Sequence, residues 1–143
     1  MARYTTRVQS RQPAEEAFAY LSDFSTTAEW DPGVVEAERL TAGPLGEGSE
    51  FRVVARFMGR KVPLTYVVTE YEAPTRIVLR GESSTVVSLD EITVSHADDG
   101  ALVTYDARLT LKGPLRVADP LLGLVFKRIG DRAAAGMRGA LGA

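Results

Sequence analysis

The spacing of hydrophobic and polar positions changes period along this chain. "RYTTRVQSR" alternates every second residue, as a half-buried strand does. Pro13 then fixes the first helical turn of "PAEEAFAYLSDF", where Ala14, Ala17, Phe18 and Leu21 form one apolar stripe. "STTAEWDPG" reads as a second helical turn or a loop, closed by the turn chemistry of Asp31, Pro32 and Gly33. From there to Leu111 the period is two again. "VVEAERL", "SEFRVVARFM", "KVPLTYVVTEYE", "RIVLRGE", "TVVSLDEITVS" and "LVTYDARLTL" read as strands, with "MGRK", "EAPTR" and "ADDGA" as hairpin connections. From Leu115 to Leu141, steps of three and four through Leu121, Leu122, Val125, Ile129, Ala133, Met137 and Leu141 predict one long helix with a single buried face.

This order predicts an α+β domain: a seven-stranded antiparallel sheet, two short helices after the first strand, and a long C-terminal helix lying across the sheet. Consecutive hairpins make a meander, and a curved meander around a helix encloses space. A chain of 143 residues that is 45% hydrophobic can bury a core of its own, and no repeat or linker divides it, so residues 1–143 are expected to form one domain.

Composition narrows the chemistry. Without cysteine there are no disulfides and no thiolate chemistry. A single histidine, His96, rules out a multi-histidine metal site, and no carboxylate cluster offers an alternative, so neither metal nor other cofactor is expected. His96 sits beside the turn "ADDG" and reads as surface, which leaves no Ser-His-Asp arrangement. Gly43, Gly46 and Gly48 lie between strands with no helix following, so they do not form a phosphate loop. A net charge of -2 argues against nucleic acid as a partner, and the local excess at Arg56, Arg60 and Lys61 reads as a solvated turn. No segment approaches about 18 uninterrupted apolar residues and the N-terminus lacks a signal-peptide core; a cytoplasmic location without integral membrane association is expected.

One strand carries a chemical anomaly. In "VVSLDEITV", Val86, Ser88, Asp90, Ile92 and Val94 share a face, which puts a hydroxyl and a carboxylate in line with three aliphatic side chains. The other face is poorer in large apolar groups, so Ser88 and Asp90 are expected to point inward. An ionised aspartate in a dry core is very costly, whereas one facing a partly hydrated cavity is not. A one-residue bulge reverses this assignment and leaves Asp90 in solvent. By the same alternation Tyr105 and Ala107 face inward with Val103 and Leu109, and Tyr66 faces inward with Val62 and Leu64. Each tyrosine reads either as a ligand-orienting phenol or as a core residue whose hydroxyl reaches the backbone. Phe51, Val53 and Phe57 read as wall. Phe126 and Ile129 are expected to floor the space from the last helix, where Gly130, Gly136 and Gly139 each cost roughly 1 kcal/mol of helix propensity, so that packing or a ligand must hold its end. Arg52, Arg56, Arg80 and Arg108 all alternate outward.

"EEAFAYLSDFSTTAEWDPGV", "VPLTYVVTEYEAPTRIVLRG" and "LVTYDARLTLKGPLRVADPLL" followed by a long helix resemble the polyketide cyclase/dehydrase branch of the START/Bet v 1-like superfamily, over nearly the whole chain. The resemblance implies the helix-grip fold, a sheet wrapped around the C-terminal helix with a deep apolar cavity. Members include aromatase/cyclases, lipid carriers and hormone receptors, so the implied function is binding of a small apolar molecule such as a lipid, polyketide or aromatic metabolite. The alternative it implies is a cyclase or dehydratase that uses cavity Tyr and Asp groups with water. It also places Trp30 near the cavity mouth, either as a lid contact or as a staple of the short helix, and it gives the loop around Gly43 to Gly48 a gating role.

Overall fold

The computed structural model describes residues 2–57, 59–113 and 119–142. Strands β1 (Ala2–Ser10), β2 (Val34–Arg39), β3 (Glu50–Phe57), β4 (Arg60–Glu72), β5 (Arg76–Glu82), β6 (Val86–Ala97) and β7 (Gly100–Leu111) form one antiparallel sheet in the order β1-β7-β6-β5-β4-β3-β2. Since β1 and β2 lie at opposite edges, the chain between them has to cross the whole sheet. It does so as α1 (Ala14–Ser22), a 3-10 turn (Phe24–Thr26) and α2 (Thr27–Trp30). The helix α3 (Asp119–Ala140) returns along β1. Residues 115–118 of the predicted helix, and the side chain of Leu121, lie outside the described residues. No helix among the described residues is long and apolar enough to cross a membrane.

Local chemistry accounts for the crossing. α1 buries the predicted stripe of Ala14, Ala17, Phe18 and Leu21, and Glu15 and Glu16 sit in its first turn, where the helix dipole favours acids. Asp23 then caps the 3-10 turn by accepting a hydrogen bond from the Ser25 N–H at 3.1 Å. Phe24 packs edge-on against Tyr66, with ring centroids 5.1 Å apart, and so ties the turn to the middle of the sheet. After α2, the Asp31 carboxylate accepts from the Gly33 N–H at 2.8 Å, an Asx turn that feeds the chain into β2.

The sheet departs from regular pairing in two places, between Val34 and Glu36 in β2 and between Val68 and Glu70 in β4. β6 shows no such shift. It pairs with β7 residue by residue from Val86 opposite Leu111 to Ala97 opposite Gly100. Strict alternation therefore holds along β6, with Val86, Ser88, Asp90, Ile92 and Val94 all buried.

Two glycines of α3 are where the helix comes closest to its neighbours. A Cβ on Gly136 would lie 1.7 Å from the Trp30 carbonyl oxygen, and one on Gly130 would lie 2.4 Å from the Tyr4 ring. The C-terminal glycines thus trade helix propensity for close approach. Gly136→Ala is expected to lower stability by about 1–3 kcal/mol, because backbone must move and the propensity gain of about 1 kcal/mol does not offset it. A urea midpoint equal to or above that of the parent protein would show that α2 yields freely.

Candidate functional site

Between the inner face of the sheet, α2 and α3 lies a cavity of about 140 Å³. Its construction begins with small residues. Ser88 stands opposite Gly81, and Asp90 stands opposite Ala107. The missing side chain at Gly81 lets the Tyr66 ring lie across the sheet, since a Cβ there would sit 2.6 Å from ring carbons. On the opposing helix Ala133 and Ala134 are short as well, while the Tyr4 ring takes up the room left at Gly130. Space remains between Ala107 on the sheet and the alanines of α3, and Ser88 and Asp90 are among its lining residues.

That pair is hydrogen-bonded. The Ser88 hydroxyl donates to Asp90 Oδ1 at 2.6 Å, and the Tyr105 hydroxyl donates to Asp90 Oδ2. Burial pushes the Asp90 carboxyl up to about 6; the bonds from Ser88 and Tyr105 restrain the rise, and the charges of Asp31 and Asp106 add to it. The Tyr66 and Tyr105 phenols are pushed well up, first by burial and then by the charge of Asp90. Asp31, at the partly exposed rim, is raised by burial and held back by its bond from Gly33. A carboxyl that titrates near neutrality can accept a hydrogen bond from a ligand, or can take and return a proton.

Of the residues singled out from sequence, Trp30, Val53, Phe57, Tyr66, Ser88, Asp90, Tyr105, Ala107, Phe126 and Ile129 border the cavity. Phe51 does not. It is fully buried and packs on Phe24 with centroids 6.2 Å apart, because the 3-10 turn covers the end of β3 where Phe51 sits. Trp30 both borders the cavity and meets Tyr105 edge-on at 6.0 Å, and its indole N–H has no hydrogen-bond partner among the described residues. Arg56 is exposed yet borders the cavity at its rim, beside the β2 edge.

Several contributors escaped sequence reasoning. Tyr4 and Thr6 of β1 line the cavity, and the alternation of "RYTTRVQS" would have found them, had β1 been placed beside β7. Asp31 signals only a turn in sequence; its place on the rim follows from where α2 ends. Arg39 faces inward. It stands opposite the buried Phe51, and its Nε and Nη2 are buried without a partner among the described residues, although it does not border the cavity. The bulge in β2 hides its direction from parity. His96 is exposed, 3.7 Å from Glu15, and among the described residues no group of His, Cys, Asp and Glu could hold a metal ion.

Solved structures share this architecture. A START superfamily protein from Mycobacterium smegmatis is 17% identical, with a TM-score of 0.79 over 98% of this chain and 95% of that one. An aromatase/cyclase from Streptomyces is 17% identical, with a TM-score of 0.75 over 97% of this chain and 92% of that one. The di-domain aromatase/cyclase BexL is 14% identical, with a TM-score of 0.74 over 99% of this chain and 50% of that one. At these identities the likeness establishes the fold alone. No curated protein sequence matches. The family model described as polyketide cyclase/dehydrase and lipid transport matches residues 1–142, and the chain therefore belongs to that family.

Proposed function

We propose that this protein reversibly binds a compact, mainly apolar molecule in the cavity between sheet and α3, with no metal or nucleotide required. The observation that carries this reading is a mainly apolar cavity with a buried hydrogen-bonded polar group, Asp90 with Ser88 and Tyr105, at its wall. Volume limits the ligand. About 140 Å³ is close to cavities of roughly 150 Å³ that admit benzene, so a one-ring molecule fits without movement of the walls. Burying about 200 Å² of apolar surface supplies on the order of 5 kcal/mol before ordering costs, so shape alone sets an upper limit on affinity, a Kd of about 0.2 mM, and polar contacts must supply any tighter binding.

Trp30 is the sole tryptophan and borders the site, so its fluorescence reports occupancy directly. Titration with single-ring aromatics, flavonoids, fatty acids and aromatic polyketides is expected to give saturable changes for the small aromatics first. Native mass spectrometry of the purified protein tests for a ligand carried through purification. Absence of saturable binding across that panel, with the protein folded, rejects this reading.

A second reading is favoured by one observation, the Asp90 carboxyl poised near neutrality between two hydroxyl donors. In that reading the Tyr phenols orient a ketone, and Asp90 takes a proton from the carbon beside it. The resulting enolate forms a carbon–carbon double bond as the β carbon–oxygen bond breaks, the hydroxyl leaving as water with the proton that Asp90 returns. The structural likeness to an aromatase/cyclase from Streptomyces supports considering it. Turnover of small poly-β-ketone mimics that is lost in Asp90→Asn would establish it over simple binding.

A further inference from the structure

The acids of this sheet are treated unequally. On the outer face, Asp106 is paired with Arg3 at 2.9 Å and Glu91 with Arg76 at 2.7 Å, and Glu82 is bonded by Lys112 and Arg80. Asp90, at 5% exposure, receives only the neutral hydroxyls of Ser88 and Tyr105 among the described residues. A carboxylate offers about four lone-pair sites, so two remain after those bonds. Ala107 opposite is short and borders the cavity, which leaves room for something to reach them.

Around that carboxylate the walls suit a cation. Tyr66, Tyr105 and Trp30 line the same cavity as Asp90, and a positive charge near the faces of such rings is stabilised. Asp31 adds a second acid at the rim, and Arg56, the one cation among the described lining residues, is exposed there rather than directed to Asp90. The indole N–H of Trp30, a lining residue at 4% exposure, is buried without a partner among the described residues, so a further donor at this cavity has no acceptor of its own.

We propose that the ligand is a compact aromatic amine whose protonated nitrogen sits against Asp90 inside the aromatic wall, and that carboxylate-bearing molecules are excluded. The inference rests on the binding reading above and names its ligand class. The ammonium fills the free acceptor sites of Asp90 and removes the cost of burying an unpaired negative charge. An acceptor oxygen on the same molecule would satisfy Trp30 Nε1. A carboxylate of similar size meets Asp90 and Asp31 with like charge and is repelled.

The groups that face Asp90 are the phenols of Tyr105 from β7 and Tyr66 from β4, Asp31 beyond α2, and, through the sheet, Asp106. From β1, the Tyr4 hydroxyl is engaged by Asp131 at 2.6 Å, and the lining residues of α3 carry no ionisable side chain. Asp90 is therefore the group expected to govern amine binding between about pH 5 and pH 7.

Benzylamine, benzyl alcohol and benzoate share a ring and differ in charge, and each can be titrated against the folded full chain by calorimetry and Trp30 fluorescence. Benzylamine is expected to bind about tenfold tighter than benzyl alcohol near neutral pH, with benzoate weakest. Its affinity should climb from about pH 5 to pH 7 as Asp90 loses its proton, while that of benzyl alcohol stays level. Asp90→Asn should cost benzylamine about tenfold and flatten its pH profile; the pH profile of the unaltered protein tests the same point without any variant. Binding of benzyl alcohol with no preference for benzylamine, or with benzoate equal to it, overturns the amine inference and leaves the binding reading standing. No binding by any of the three overturns the amine inference, and absence of binding across the wider panel as well overturns both.

Discussion

Asp90→Asn is expected to stabilise the fold by about 1–3 kcal/mol near neutral pH. In the folded chain the Asp90 carboxyl holds its proton up to about pH 6, whereas the unfolded chain releases it near the ordinary aspartate value of 3.8. Between those values the folded state binds more protons than the unfolded state, so this group makes stability fall as pH rises. Above about pH 6 the whole penalty is present; below the unfolded value it is gone. Asparagine keeps the shape and carries no charge at any pH. Acids such as Glu70 and Glu82 are held low by their cationic partners and contribute the opposite trend, losing stabilisation as pH falls. The difference between parent and variant isolates Asp90 from them. Urea unfolding at several pH values should show that difference growing from about pH 4 to pH 6 and then levelling. A difference that is constant across this window would mean Asp90 is not buried as an acid.

Ala107→Trp is expected to abolish ligand binding, by about a hundredfold or more, with a smaller effect on folding. Ala107 borders the cavity directly opposite Asp90. An indole added there occupies the volume that a one-ring ligand would use and also covers the carboxylate. Most of the new side chain enters existing space, so overpacking should stay within about 1–3 kcal/mol. Calorimetry with a small aromatic probe and a urea unfolding curve together check both halves. Full binding by a folded variant would place the ligand site elsewhere on the molecule.

The two strands that carry the polar pair were the most legible part of the chain. β6 and β7 run for 12 residues each and pair without a shift, so parity alone puts Ser88, Asp90, Tyr105 and Ala107 on one face. The stripe of α1 and the long helical face of α3 were equally readable, because burial on one side imposes a period that no tertiary detail can hide. β2 was not. Its bulge between Val34 and Glu36 changes parity part-way, which turned Arg39 inward unnoticed. Phe51 alternates correctly and still misses the cavity, since alternation fixes which face a residue takes and says nothing of its distance along the sheet from a given site.

By itself, then, the sequence determined the order of elements, their buried faces, and the presence of an acid among aliphatic side chains, because each is a local or periodic property. Only the tertiary structure decided that β1 lies beside β7 and brings Tyr4 and Thr6 to the cavity, that Gly81 and Ala107 stand against Ser88 and Asp90, and that Asp31 closes the rim. Those are contacts between residues far apart in the chain. Their geometry follows from which strands pair and in what register, and the size of the space between sheet and helix is set by the few positions where a side chain is missing.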